Sequence, residues 1–113
     1  FGVECESALT VLSTVTSRPT ADRIICDAGF KATGNVSPDP ELRNISDCAS
    51  IKFSAEHGII TLSKGTPQPR VGDTIEFVPG YSDSAIFLHE YLYGVRDGLV
   101  ETVWPVIGRG KLQ

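Results

Sequence analysis

Glycine and proline cut this sequence into short runs, and most of those runs are rich in β-branched and aromatic residues. Among 113 residues there are eleven glycines and seven prolines. Proline lacks the backbone donor that a helix or a central strand needs, and glycine carries an entropic cost inside either. Between the breakers lie Ile24–Asp27, Ile59–Leu62, Thr74–Val78, Tyr91–Val95 and Leu99–Trp104. Each has the length and composition of a strand. The clearest signal is Arg96–Asp97–Gly98 between the last two runs, because Asp-Gly suits the tight turn of a hairpin. Seven or so short strands, with no convincing long amphipathic helix, predict a mainly β fold. The expected architecture is a small antiparallel β-barrel or sandwich, with residues 1–113 as a single domain.

Val3–Thr16 mixes Leu9, Val11, Leu12 and Val15 with Thr and Ser. It predicts a first strand, ended by Ser17–Arg18–Pro19. Lys31–Asn44 contains Gly34, Asn35, Pro38 and Pro40 and predicts a long loop. Asp47–Ser54 alternates enough for a strand, which would turn at Glu56–His57–Gly58 and pair with Ile59–Leu62. Beyond Pro79–Gly80, the segment Ala85–Glu90 predicts one helical turn.

The length suffices for one hydrophobic core. Hydrophobic residues at 41% and charged residues at 21% fit a folded globular domain and argue against disorder. A net charge of −4 gives no basic footprint for nucleic acid. No apolar run approaches the ~20 residues of a membrane helix, so no membrane contact is expected. Phe1–Glu6 has neither the basic start nor the apolar core of a secretory signal. The sequence contains no methionine, and the chain is expected to be a fragment of a longer protein. Cys5, Cys26 and Cys48 are odd in number and widely spaced, which fits neither a disulfide framework nor a zinc motif. Reduced, mostly buried thiols in a cytoplasmic protein are expected.

The residues with chemical potential cluster after strand ends, where groups are displayed on a rigid scaffold. Tyr81 and Asp83 follow the Pro79–Gly80 turn; locally, a solvated turn explains Ser and Asp equally well. Their i, i+2 spacing would put both on one side of an extended segment. His57 sits beside Glu56 in a predicted turn and could act as acid, base or ligand. His89 is expected to pack or cap. Asp27 is expected to cap the turn at Ala28–Gly29, and Asp73 and Asp97 to form turns. Trp104 is expected to anchor a core or an interface. No Gly-rich phosphate loop is present.

Four segments, in order, resemble a known domain. They are Ile25–Cys26–Asp27–Ala28–Gly29–Phe30–Lys31, Ser54–Ala55–Glu56–His57–Gly58, Val71–Gly72–Asp73 running to Pro79, and Leu92–Gly98 continuing to Val103–Trp104–Pro105 and Gly108–Arg109–Gly110. They are similar to D-A-G-x-K, S-x-E-H-G, V-G-D…P and V-R-D-G…W-P…R-G of the D-threonine aldolase / D-serine dehydratase-like family. The match is to the C-terminal β-domain of these enzymes, which belong to the alanine-racemase fold type (fold type III) and use pyridoxal phosphate.

The resemblance implies a lyase acting on D-β-hydroxy amino acids, by aldol cleavage or by dehydration. It implies an N-terminal (β/α)8 barrel that carries the cofactor and its lysine, which is therefore not Lys31, and a homodimer. The isolated domain would be inactive. Tyr81, His57 and Glu56 would be catalytic and would share one concave surface with Asp83. The family's P-x-H-x-C/D segment holds a divalent metal. Here Pro79, Tyr81 and Asp83 stand in those places, so Asp83 and Tyr81 are the candidate ligands. A phenol ligates poorly at neutral pH, because it must first lose a proton whose pKa is about 10. The alternative from another class is a non-catalytic β-barrel module for binding or dimerisation.

Overall fold

Strand β1 (Val11–Thr20) organises the sheet in the computed structural model, which describes residues 4–111. Its side chains alternate, with Val11, Ser13 and Val15 buried and Leu12 and Thr16 exposed, as one covered face requires. The two halves of β1 serve different neighbours. Val11–Thr14 pairs antiparallel with β6 (Thr74–Val78), from Val11 opposite Phe77 to Thr14 opposite Thr74. The second half pairs with β2 (Arg23–Cys26), where Val15, Ser17 and Thr20 oppose Cys26, Ile25 and Arg23 with two register slips. Such slips bend a strand and raise its twist, which lets one strand turn a barrel corner.

The other strands extend this pair outward. β3 (Glu41–Arg43) adds to β6, β5 (Gly58–Leu62) adds to β2, and β4 (Cys48–Phe53) adds to β5. The order is β3-β6-β1-β2-β5-β4, all antiparallel. The outermost strands β3 and β4 are consecutive in sequence and joined by residues 44–47. That short link draws the two sheet edges together, and the result is a nearly closed antiparallel barrel. The mainly β expectation holds. Inside lie Val11, Val15, Ile24, Cys26, Ile60, Leu62, Ile75 and Phe77. Phe77 is fully buried and meets the Phe53 ring edge-on at 5.5 Å. Each large aliphatic or aromatic side chain so buried contributes about 1.5–3 kcal/mol.

Several local expectations need correction. The first strand starts at Val11, and residues 4–10 form no regular element; Val3 lies outside the described residues. Pro19 does not end β1, because it lies beyond the β6 pairing and inside the slip between Ser17 and Thr20, where no ladder donor is required. The segment expected to be one loop contains a single helical turn, α1 (Phe30–Thr33), and β3. The second helix, α2 (Ser82–Ile86), starts three residues earlier than expected. Asp27 does not cap the Ala28–Gly29 turn: its Oδ1 accepts from the Ser13 hydroxyl and from the Thr14 backbone N–H, both at 2.8 Å. It thereby satisfies the buried hydroxyl of Ser13. All three cysteines are free, but only Cys26 is buried.

β7 (Tyr91–Arg96) and β8 (Leu99–Pro105) form the expected hairpin as a separate two-stranded sheet. Asp97 and Gly98 both take positive φ, 50° and 76°, the pattern of a hairpin turn that matches strand twist. Tyr91, Tyr93, Val95, Val100 and Val103 are exposed on this hairpin. Their cross-strand pairing puts Tyr93 opposite Val103 and Val95 opposite Val100, so they share one face. Trp104 is 54% exposed and is not a core residue.

Candidate functional site

One end of the barrel is assembled from α1, α2 and the β4–β5 turn. The first donors of α1 are taken by that turn: Phe30 N–H donates to the Ser54 carbonyl at 2.9 Å and Lys31 N–H to the Ala55 carbonyl at 3.2 Å. A four-residue helix has nearly all its donors unpaired internally, so these carbonyls stabilise it. Gly29 sits so close to the Ser54 and Ala55 carbonyls that any Cβ would collide with them. The D-A-G and S-x-E-H-G segments are therefore physically one joint. α2 is tied to α1 by His89, whose Nε2 is 2.8 Å from the Ala32 carbonyl, and by Ser84, which abuts Gly34. His89 is thus a strut, in line with the packing role expected for it.

Tyr81 caps α2 in extended geometry and Asp83 lies in its first turn. The Tyr81 hydroxyl donates to Asp83 Oδ2 at 3.1 Å, and the Ser82 hydroxyl reaches Asp83 Oδ1 at 3.4 Å. The pairing expected from an extended strand is made instead by a helix start. The turn is held from below by the buried Ser84 hydroxyl, which donates to the Tyr81 carbonyl at 2.8 Å. The bond to Asp83, and then its charge, push the Tyr81 phenol above its ordinary range.

Glu56 and His57 sit in the tight turn closed by Ser54, whose N–H donates to the His57 carbonyl at 2.9 Å. Glu56 pairs with Lys31 at 2.7 Å across the joint. That hydrogen bond and charge hold the Glu56 carboxyl below its ordinary value. Both side chains are 63% exposed, so the pair contributes little stability. The pairing of Glu56 with Lys31 escaped sequence reasoning, because only the fold brings residues 31 and 56 together. Among the described residues, no hydrogen bond joins His57 or Glu56 to Tyr81 or Asp83. The structure pairs Tyr81 with Asp83 and Glu56 with Lys31, as two pairs linked through α1 and α2. A cleft of about 590 Å³ is lined by Arg43, Asp47, Asp73 and Glu76, and none of the four candidate residues lines it.

The donors do not suit a metal. Among the described residues, no group of three or more His, Cys, Asp or Glu could hold one. Pyridoxal phosphate does not fit this chain either: Lys31 is exposed and paired with Glu56, and the sequence has no phosphate-cradling loop. Among the described residues, no helix is long and apolar enough to cross a membrane.

Fold and site together define a class: a small antiparallel β-barrel that displays a tyrosine–aspartate pair and a Glu-His turn from the loops at one end. The family described as "Putative serine dehydratase domain" matches residues 8–95. The chain belongs to this D-serine dehydratase-like family. It is 40% identical over 108 residues to the 3-hydroxy-D-aspartate aldolase of Paracoccus denitrificans, covering 96% of this chain and 27% of that protein. It is 36% identical over 105 residues to the D-threonine aldolase of an Arthrobacter species, covering 93% and 28%. The crystal structure of D-threonine aldolase from Filomicrobium marinum superposes with a TM-score of 0.91 at 29% identity, over 98% of this chain and 30% of that one. This chain thus spans less than a third of these aldolases. An uncharacterised protein of Mycobacterium tuberculosis is 29% identical, with 92% of this chain covering 85% of it.

Proposed function

We propose that this chain is the C-terminal β-domain of a pyridoxal-phosphate-dependent lyase acting on D-β-hydroxy amino acids. Its α1–α2 end would complete an active site whose cofactor is held by another domain. The observation that carries this proposal is the match to two aldolases over more than nine tenths of this chain but under three tenths of theirs. The partner is then an N-terminal (β/α)8 barrel of the same polypeptide, within a homodimer, and the reaction is aldol cleavage or dehydration. The free thiols at Cys5, Cys26 and Cys48 suit a cytoplasmic setting.

The cofactor supplies the electron sink. The residues of this chain bind and orient. Tyr81 presents its hydroxyl oxygen with the proton already committed to Asp83. His57 is the acid–base group at the same end, and Glu56, fixed by Lys31, sets the polarity beside it. The hairpin face of Tyr91, Tyr93, Val95, Val100 and Val103 is the surface for the barrel. A lone two-stranded hairpin is marginal in water, and an apolar face of this kind needs a cover.

A second reading is a non-catalytic β-barrel module for binding or dimerisation. The mycobacterial relative favours it, because that protein is little longer than this chain. A chimera separates the two. This chain replaces the matching stretch of the Paracoccus aldolase, and cleavage of 3-hydroxy-D-aspartate is measured. Retained cleavage, lowered at least about tenfold by Tyr81→Phe or His57→Gln, is expected if the domain completes the site. A chimera that folds and binds cofactor without turnover would support the module.

A further inference from the structure

Resting on the lyase reading above, we infer that the Tyr81–Asp83 corner works without a divalent metal. In its place, the phenol oxygen itself receives the hydrogen bond of the substrate's β-hydroxyl. The inference starts from how the donors are used. Both oxygens of Asp83 already have donors, Tyr81 on Oδ2 at 3.1 Å and Ser82 on Oδ1 at 3.4 Å. A cation bound there would compete with both hydroxyls for the same carboxylate. It would gain no imidazole or thiolate, because positions 81 and 82 carry Tyr and Ser. A single carboxylate is far from the four N, S or O ligands of a zinc site or the six of a magnesium-type site. Among the described residues, no group of three or more His, Cys, Asp or Glu is placed to hold a metal ion.

The same geometry suits a neutral hydroxyl. With its proton donated to Asp83, the Tyr81 oxygen keeps its acceptor lone pairs free. The side chain is 40% exposed, so those lone pairs are reachable. Its direction is set by the buried Ser84 bond to the Tyr81 carbonyl and by the contact of Ser84 with Gly34. A substrate O–H can therefore donate to Tyr81 while Tyr81 donates to Asp83, a two-bond chain in which each bond polarises the next.

The test is calorimetric titration of Mn²⁺ and of Zn²⁺ into this chain and its variants, with circular dichroism to verify folding. For the unaltered chain we expect no saturable binding beyond that of Asp83→Asn. Tyr81→His is expected to raise affinity at least tenfold, and Tyr81→His/Asp83→Asn to lose that gain. Stoichiometric binding to the unaltered chain that Asp83→Asn abolishes would overturn the inference, while leaving the lyase reading to stand or fall by the chimera. In an active chimera, turnover should survive chelation, and Tyr81→His should make it depend on added Mn²⁺. Loss of turnover on chelation, restored by Mn²⁺ with Tyr81 intact, would equally overturn it.

Discussion

Gly80 carries the turn that delivers Tyr81, and it has no room for a side chain. A Cβ there would run into the Pro38 carbonyl, which is backbone and cannot swing away. Gly80→Ala is therefore expected to cost at least about 2 kcal/mol, read as a lowered denaturant midpoint. An unchanged midpoint would contradict the close approach. At Tyr81 the expected signature is spectroscopic. Its phenol should titrate above the ordinary value of 10.0 because it donates to anionic Asp83, and Asp83→Asn should return it toward that value by ring-carbon NMR. The associated stability is present below pH 10 and is lost as pH rises through the raised folded-state pKa. The opposite sign holds for Glu56: Lys31 depresses its pKa, so that contribution is present above 4.5 and lost as pH falls. The Tyr81–Asp83 proximity was legible from their spacing. Its cause was not, because a helix start and a strand end both place i and i+2 residues within reach.

The hairpin and the barrel differ in how they are held. β2 and β5 lie inside the six-stranded sheet and contribute Ile24, Cys26, Ile60 and Leu62 to the core. β7 and β8 pair only with each other, and their tyrosines and valines face outward. In the isolated chain, amide exchange protection should be at least about tenfold lower in Tyr91–Arg96 than in Ile24–Cys26, because the hairpin opens without disturbing the core. Equal protection would mean that the hairpin is part of one cooperative unit. Elements with strong local chemistry were legible in advance: Asp97–Gly98 marked the hairpin, and the Ile59–Leu62 and Thr74–Val78 runs marked strands. Elements made by distant partners were not. β3 exists because Glu41–Arg43 finds the edge of β6, and α1 exists because Ser54 and Ala55 accept its donors. Neither has a periodicity of its own over three or four residues.

At the scale of the molecule, the barrel is complete in its core yet leaves both an apolar hairpin face and a polar end uncovered. The motif order alone pointed to the family, and Gly29 shows what one of its glycines records: a close approach to the Ser54 and Ala55 carbonyls that leaves no room for a Cβ. The proposed division of labour with a cofactor-bearing domain is less legible, since among the described residues such a domain would be marked only by exposed apolar side chains such as Tyr93 and Val103. The most direct measurement is cleavage of D-threonine by this chain with pyridoxal phosphate. It is made before and after addition of the Arthrobacter aldolase from which the matching 28% has been removed. Expected are no turnover from either piece alone and measurable turnover from the mixture. Turnover by this chain alone, or none from a mixture in which the two pieces co-elute as a complex, would contradict the account.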